Sequence, residues 1–112
     1  MNTAFLDLLA TYASTVITHI ALFDDTQTEL TGGSYARKAV TWTSPSGDGL
    51  IRPNADLVFD VPAGASVAEW RGFTASSGGT DYGGGTLTQE DFAGAGTYTL
   101  EAASTGIDLD AA

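Results

Sequence analysis

The sequence contains one histidine, His19, which is the single candidate base for a Ser-His-Asp arrangement. It lies between Thr18 and Ile20 in a run of β-branched and apolar residues, which is typical of a strand. The chain has no Gly-x-Ser-x-Gly segment, which would present a nucleophilic serine. The pattern therefore predicts an ordinary strand residue at His19 and no hydrolase site.

Carboxylates offer two further candidate sites. Asp24, Asp25 and Glu29 could supply oxygen ligands to a hard cation such as calcium. Their spacing differs from that of a helix-loop-helix calcium loop, in which acids alternate and a glycine holds the sixth position. Asp60 and Glu69 could act as paired carboxylates, but a chain with 14 acidic residues contains such pairs by chance. We expect a solvated loop around Asp24, with a cation site as the alternative.

Two glycine runs and two tryptophans complete the search for chemistry. The runs Gly78-Gly79-Thr80 and Gly83-Gly84-Gly85-Thr86 invite comparison with a phosphate loop, but no lysine follows them, so flexible turns are predicted. Trp42 and Trp70 could stack on sugars, although their alternating surroundings favour a core or a subunit interface. The sequence therefore identifies no catalytic residue, metal site or cofactor, and it predicts a protein that is not an enzyme.

Charge disfavours several classes of partner. The 112 residues include 14 acidic and 4 basic side chains, for a formal net charge of −10. Nucleic acid is not expected as a partner, because binding it requires clustered Lys and Arg, and anionic membranes are disfavoured for the same reason. No apolar run approaches 18 residues, so membrane insertion is not expected. The acids are spread along the chain, as in proteins of extreme halophiles, and an ordinary acidic surface is the alternative.

Hydrophobic periodicity predicts a mainly β chain with one short N-terminal helix at about residues 2–14. The helix is indicated by an apolar stripe at the 3.6-residue spacing, formed by Phe5, Leu8, Leu9 and Tyr12. Strand patterns follow at residues 15–23, 35–43, 56–61, 66–75, 86–88, 97–101 and 107–109. Loops are predicted at 24–28 and 44–49, and a loop or broad hairpin at 76–85. We therefore expect residues 1–112 to form a single compact domain, either a β-sandwich or a partly open barrel.

Several segments, taken in order, carry a family resemblance. They are Ile20-Ala-Leu-Phe23, Gly32-Gly-Ser-Tyr-Ala-Arg37 with the strand that follows it, Asn54 to Phe59, Trp70 to Ala75, and Gly85-Thr-Leu-Thr88. In this order they resemble a family of small virion proteins of tailed viruses, described as tail-fibre-like or head-decoration proteins. The most specific of these motifs is Gly-Gly-x-Tyr-Ala-Arg. The resemblance covers most of the chain from about residue 5 onward.

The resemblance implies a structural protein of the virion. It would be a capsid-surface decoration or turret component that packs against other virion proteins, and a tail-tip or tail-fibre component is the alternative. The acidic composition adds the hypothesis of a virus that infects a halophilic archaeon. A carbohydrate-binding module that contacts host-surface glycans through Trp42, Trp70 and the glycine-rich loops is the alternative from another class.

Self-assembly is the remaining expectation from the sequence. A domain of this size with no cysteine must gain stability from core packing or from neighbouring chains. We expect a homo-oligomer, such as a trimer or another symmetric ring. Its candidate interface residues are the helix stripe and the two tryptophans, namely Phe5, Leu8, Leu9, Tyr12, Trp42 and Trp70.

Overall fold

The computed structural model describes residues 3–45 and 49–108 of the chain. Its elements are α1 (Thr3–Val16), β1 (His19–Phe23), β2 (Lys38–Ala39), β3 (Leu50–Ile51), β4 (Leu57–Val61), β5 (Ser66–Phe73), β6 (Asp81–Asp91), β7 (Gly96–Leu100), the 3-10 turn η1 (Ala102–Ser104) and β8 (Ile107–Asp108). The prediction of a mainly β chain with one short N-terminal helix is confirmed.

The core lies between two layers of antiparallel strands. One layer is a four-stranded sheet in the order β2-β1-β5-β6, the other is the pair β4-β7, and β3 pairs with β8 beside them. Ile20 and Leu22 of β1 and Trp70 of β5 meet Phe59 and Val61 of β4 in one buried cluster. The described sheets are not closed into a barrel, so the fold is of the sandwich-like kind.

The helix extends beyond its predicted end. It was expected to end near residue 14, whereas α1 ends at Val16, and the strand predicted from residue 15 begins at His19; Asn2 lies outside the described residues. The amide of Ile17 continues the helical ladder by donating to the Ala13 carbonyl at 2.9 Å. The Ile17 side chain then packs on Gly72 of β5, where a Cβ would lie 2.5 Å from Ile17 Cγ2. This buried contact outweighs the strand preference of the β-branched residues.

The strand predicted over residues 35–43 is mostly wrong, since only Lys38–Ala39 pairs with β1. The turn before it is present, with φ of 98° at Gly32 and 56° at Gly33. Beyond Val40 the chain leaves β1 and bonds to residues 52–54, with Thr43 N donating to Arg52 O at 2.7 Å. Side-chain bonds of Tyr35 and Arg37, described below, replace the missing strand pairing.

The glycine run at residues 83–85 lies inside β6, so of the two alternatives predicted over residues 76–85 the structure has the broad hairpin and not the loop. Gly85 pairs with Trp70 of β5, and a Cβ on Gly85 would lie 2.9 Å from the indole nitrogen. A Cβ on Gly84 would overlap the Trp70 carbonyl oxygen. Glycine is therefore required here by the close approach of Trp70, and the turn itself ends before Asp81.

The short strand predicted at residues 86–88 lies inside the longer β6, and three of the remaining strand predictions agree with the structure to within two residues. Those at residues 56–61, 66–75 and 97–101 correspond to β4, β5 and β7. Ile107 of the last apolar pair lies in β8, and Leu109 lies outside the described residues. Residues 46–48 of the loop predicted at 44–49 also lie outside them. The short strand β3 was not predicted. Within the described ranges, no helix has the length and apolar character needed to cross a membrane.

Candidate functional site

His19 is held in a local strand network. Its Nδ1 lies 2.9 Å from Thr18 Oγ1, and that hydroxyl donates to the Thr74 carbonyl at 3.1 Å. In the part of the chain that the structure describes, no group of three or more His, Asp or Glu side chains is placed to hold a metal ion. The imidazole thus occupies the strand position expected from the sequence.

Asp24 folds its carboxylate back onto its own loop. Its Oδ1 accepts hydrogen bonds from the Thr26 hydroxyl at 2.7 Å, the Thr26 amide at 2.9 Å and the Thr28 amide at 3.0 Å. The bond from the Thr26 hydroxyl, together with those from the two amides, holds the pKa of Asp24 below its ordinary value. One oxygen of this candidate cation ligand is therefore engaged in closing the loop.

Glu29 turns toward Arg37 and forms a bidentate ion pair. Arg37 Nε donates to Glu29 Oε2 at 2.9 Å, and Arg37 Nη2 donates to Oε1 at 2.9 Å. Partial burial opposes ionisation of Glu29, but hydrogen bonds from Arg37 and Tyr35 outweigh it and keep the pKa of the carboxyl below its ordinary value. Both carboxylate oxygens of Glu29 are thus engaged in hydrogen bonds. The described residues contain no group of three or more acids or histidines placed to hold a metal ion, and the cation site stays a prediction.

Tyr35 connects this ion pair to the core. Its hydroxyl donates to Glu29 Oε2 at 2.9 Å and accepts from the Leu22 amide at 3.0 Å. The ring stacks on Phe59, with centroids 6.5 Å apart. Burial above all, and then the Glu29 charge, raises the pKa of Tyr35 above its ordinary value, so the hydroxyl stays protonated.

Arg37 ties the Gly-Gly-Ser-Tyr-Ala-Arg segment to the loop between β5 and β6. Its Nη1 donates to the Ala75 carbonyl at 3.0 Å and to the Gly78 carbonyl at 2.8 Å. Its guanidinium carbon lies 3.8 Å from the centroid of the Phe73 ring. The most specific motif of the resemblance is therefore a structural anchor in this chain.

Arg37 is one end of a stack on the outer face of the four-stranded sheet. Phe73 and Phe23 stack with centroids 6.0 Å apart, and the Arg71 guanidinium carbon lies 4.2 Å from the Phe23 centroid. Arg71 also pairs with Glu69 at 2.7 Å and with Asp81 at 2.8 Å. We call Arg37, Phe73, Phe23 and Arg71 the arginine stack. It was not predicted from the sequence, although the alternation of Arg71 and Phe73 placed both on one face of a strand.

The proposed carboxylate pair is not brought together. Asp60 is exposed on β4, where Phe59 and Val61 face inward. Glu69 lies on β5 of the other layer, and its carboxylate accepts from Arg71 Nε at 2.8 Å. The two acids therefore point outward from different sheets.

Neither tryptophan ring is fully exposed to solvent. Trp70 is 5% exposed and belongs to the core cluster, which agrees with the core alternative for that residue. Trp42 is half-buried, and its indole nitrogen donates to the Ile17 carbonyl at 2.8 Å. Both are held by contacts within the chain.

The predicted helix stripe faces outward from the fold. We call its three most exposed residues the α1 ridge, which consists of Phe5 (47% exposed), Leu8 (62%) and Tyr12 (67%). The buried side of the helix is instead formed by Leu6 and Ala10, and Ile17 is buried just after the helix ends. α1 therefore has apolar residues on two sides, one of them buried and the other partly exposed to solvent.

A groove runs beside this ridge. It has a volume of about 390 Å³, and Tyr12 of the ridge also forms part of its wall. We call it the Tyr82 groove, and its lining residues are Leu9, Tyr12, Ala13, Val16, Ile17, Tyr82 and Ile107. Tyr82 of β6 is itself 57% exposed and was not singled out in the sequence, where it falls in a segment predicted to be a loop or broad hairpin. Ridge and groove together form a continuous apolar surface of the described chain.

Comparison of the chain with protein-family models, with curated proteins and with solved structures finds no match.

Proposed function

We propose that this chain is a non-enzymatic structural protein of a tailed virus particle. It would lie at the capsid surface as a decoration or turret component and pack against neighbouring virion proteins through the α1 ridge. The observation that carries the structural role is the exposure of Phe5, Leu8 and Tyr12 on one side of a helix. Large apolar side chains grouped on the surface of a soluble protein are typical of an interaction site.

The assignment to a virion rests on the order of sequence motifs. Its most specific element, residues 32–37, works in the structure as an anchor that joins two loops through Arg37. Such an anchor suits a rigid module that presents loops from a particle surface, and it needs no active site. The net charge of −10 supports a high-salt setting, since salt screens repulsion between the many copies on a particle.

The tail and glycan alternatives gain less support. The glycan hypothesis depended on Trp42 and Trp70, and both rings are held within the fold. A component of the tail tip or of a fibre would use the same exposed helix. Only its location on the particle would distinguish it from a capsid component.

Antibody-gold labelling of purified particles of the encoding virus tests the proposal. We expect label on the head surface of intact particles, with unrelated antibody as the control. Label on tail tips or fibres would favour the alternative, and particles free of the chain would contradict a virion role. Incorporation of Leu8→Glu, compared with Thr99→Glu at an exposed position of β7, tests whether the ridge makes the contact.

A further inference from the structure

The α1 ridge and the Tyr82 groove lie side by side on one surface. Leu8 and Tyr12 project from the helix, while Leu9 and Val16 of the same helix line the groove next to them. A second pocket of about 370 Å³ over Trp70 shares Ile17, Tyr82 and Ile107 with the groove, so the concave part continues past the helix. An apolar ridge beside an apolar groove allows two identical surfaces to pack together, because each ridge can enter the groove of the other copy.

The described residues that form this surface are also uncharged, within a strongly acidic chain. The side chains named for the ridge and the groove carry no charge at neutral pH, whereas the whole chain carries −10. Asp7 is the one acid on α1, and its carboxylate accepts from the Gly49 amide at 3.0 Å. Two identical copies repel wherever their acids meet, so they approach at least electrostatic cost through this face. A basic partner would instead be drawn to the acidic surfaces elsewhere.

We propose that two copies of the chain pair across a two-fold axis, with the α1 ridge of each seated in the Tyr82 groove of the other. A two-fold contact uses the same surface on both subunits, which a ridge beside a groove provides. The proposed function requires a partner for the α1 ridge, and here that partner is a second copy of the chain. In this respect the pairing rests on the proposed function. Pairing strengthens with salt, because the acids around the contact repel more weakly.

Complementation between a ridge variant and a groove variant tests the arrangement. Leu8→Glu damages the ridge, and Tyr82→Lys damages the groove. In the mixed pair one ridge-groove contact is intact, and the other brings a glutamate to a lysine. Light scattering and sedimentation equilibrium should show a wild-type dimer, self-association at least about 10-fold weaker for each variant alone, and a dimer restored in the equimolar mixture. Thr99→Glu, which adds the same charge at an exposed position of β7, should remain a dimer like the wild type.

Several outcomes would overturn the pairing. They are a wild-type chain that is monomeric at both 0.1 M and 1 M salt, variants that dimerise as tightly as wild type, and a mixture that stays monomeric. If circular dichroism shows that a charged variant has lost its fold, Leu8→Gln or Tyr82→Gln replaces it and should also weaken the dimer. A monomer that still labels particles overturns the pairing alone, and a dimer absent from particles overturns the virion role alone.

Discussion

The hydroxyl of Tyr35 accepts a hydrogen bond from the backbone amide of Leu22 at 3.0 Å, on the edge of β1 beyond the two residues that pair with β2. Leu22 is fully buried, so its amide cannot turn to water instead. A side chain thus completes the edge of the sheet and connects it to the Glu29–Arg37 ion pair.

Tyr35→Phe should therefore destabilise the fold by about 1–3 kcal/mol, because it leaves a buried amide unpaired. Urea unfolding would measure the loss. Tyr82→Phe removes a hydroxyl from a residue that is 57% exposed and should change stability by less than about 0.5 kcal/mol. Equal effects of the two variants would contradict the role given to the Tyr35 hydroxyl.

Arg37→Lys should destabilise the protein by about 1–3 kcal/mol, although the charge is kept. A lysine cannot reproduce the bidentate bond to Glu29, the two loop carbonyl bonds and the stacking on Phe73 at once. The matched variant is Arg71→Lys at the other end of the arginine stack, where the side chain is 20% exposed against 9% for Arg37. Chemical unfolding should show the smaller loss for Arg71→Lys, and the reverse order would count against the anchor.

The Glu29 carboxyl should make the stability depend on acid pH. Its folded pKa is below the ordinary value of 4.5, so its contribution is complete above pH 4.5 and is lost as pH falls through the lower folded value. The stability difference between wild type and Glu29→Gln should be largest near neutral pH and shrink below pH 4.5. Unfolding in 1 M salt, which suppresses general repulsion, would measure it. A difference that stays constant down to pH 3 would rule out this contribution.

Gly84→Ala should destabilise the fold by about 1–3 kcal/mol or more, because the added methyl meets the Trp70 backbone inside the sheet. Gly94→Ala is the control, since a Cβ there meets no atom within 4 Å. Thermal and urea unfolding of the two variants would compare them. If both were tolerated equally, the glycine run would be a flexible loop as first predicted.

Salt should stabilise the folded chain. Raising monovalent salt from 0.1 M to 1 M shortens the screening length from about 10 Å to about 3 Å and weakens repulsion within a chain of net charge −10. A variant that neutralises three exposed acids, with Asp25→Asn, Asp60→Asn and Glu90→Gln, should be more stable in dilute buffer and less sensitive to salt. A flat or falling series of melting temperatures for the wild type would remove the halophilic hypothesis.

Local periodicity determined the regular strands and the existence of the helix. Alternation in Leu57, Phe59 and Val61 indicates which side of β4 is apolar, and the structure buries Phe59 and Val61. The same kind of pattern located β5 and β7. These strands are predictable because alternation along the chain indicates which face of a strand can be buried. The acidic character of the protein likewise follows from its amino-acid composition alone.

Only the tertiary structure decided how the elements meet. The sequence shows a stripe of large apolar residues on α1, but the fold buries the other side, where Ala10 is fully covered, and leaves Leu8 and Tyr12 exposed. Likewise, the partners of Arg37 lie 8 residues away at Glu29, 38 at Ala75 and 41 at Gly78. The position of the glycine run inside β6 depends on Trp70 of the neighbouring strand. Such contacts join distant segments through shape and hydrogen-bond geometry, which no local pattern along the chain records.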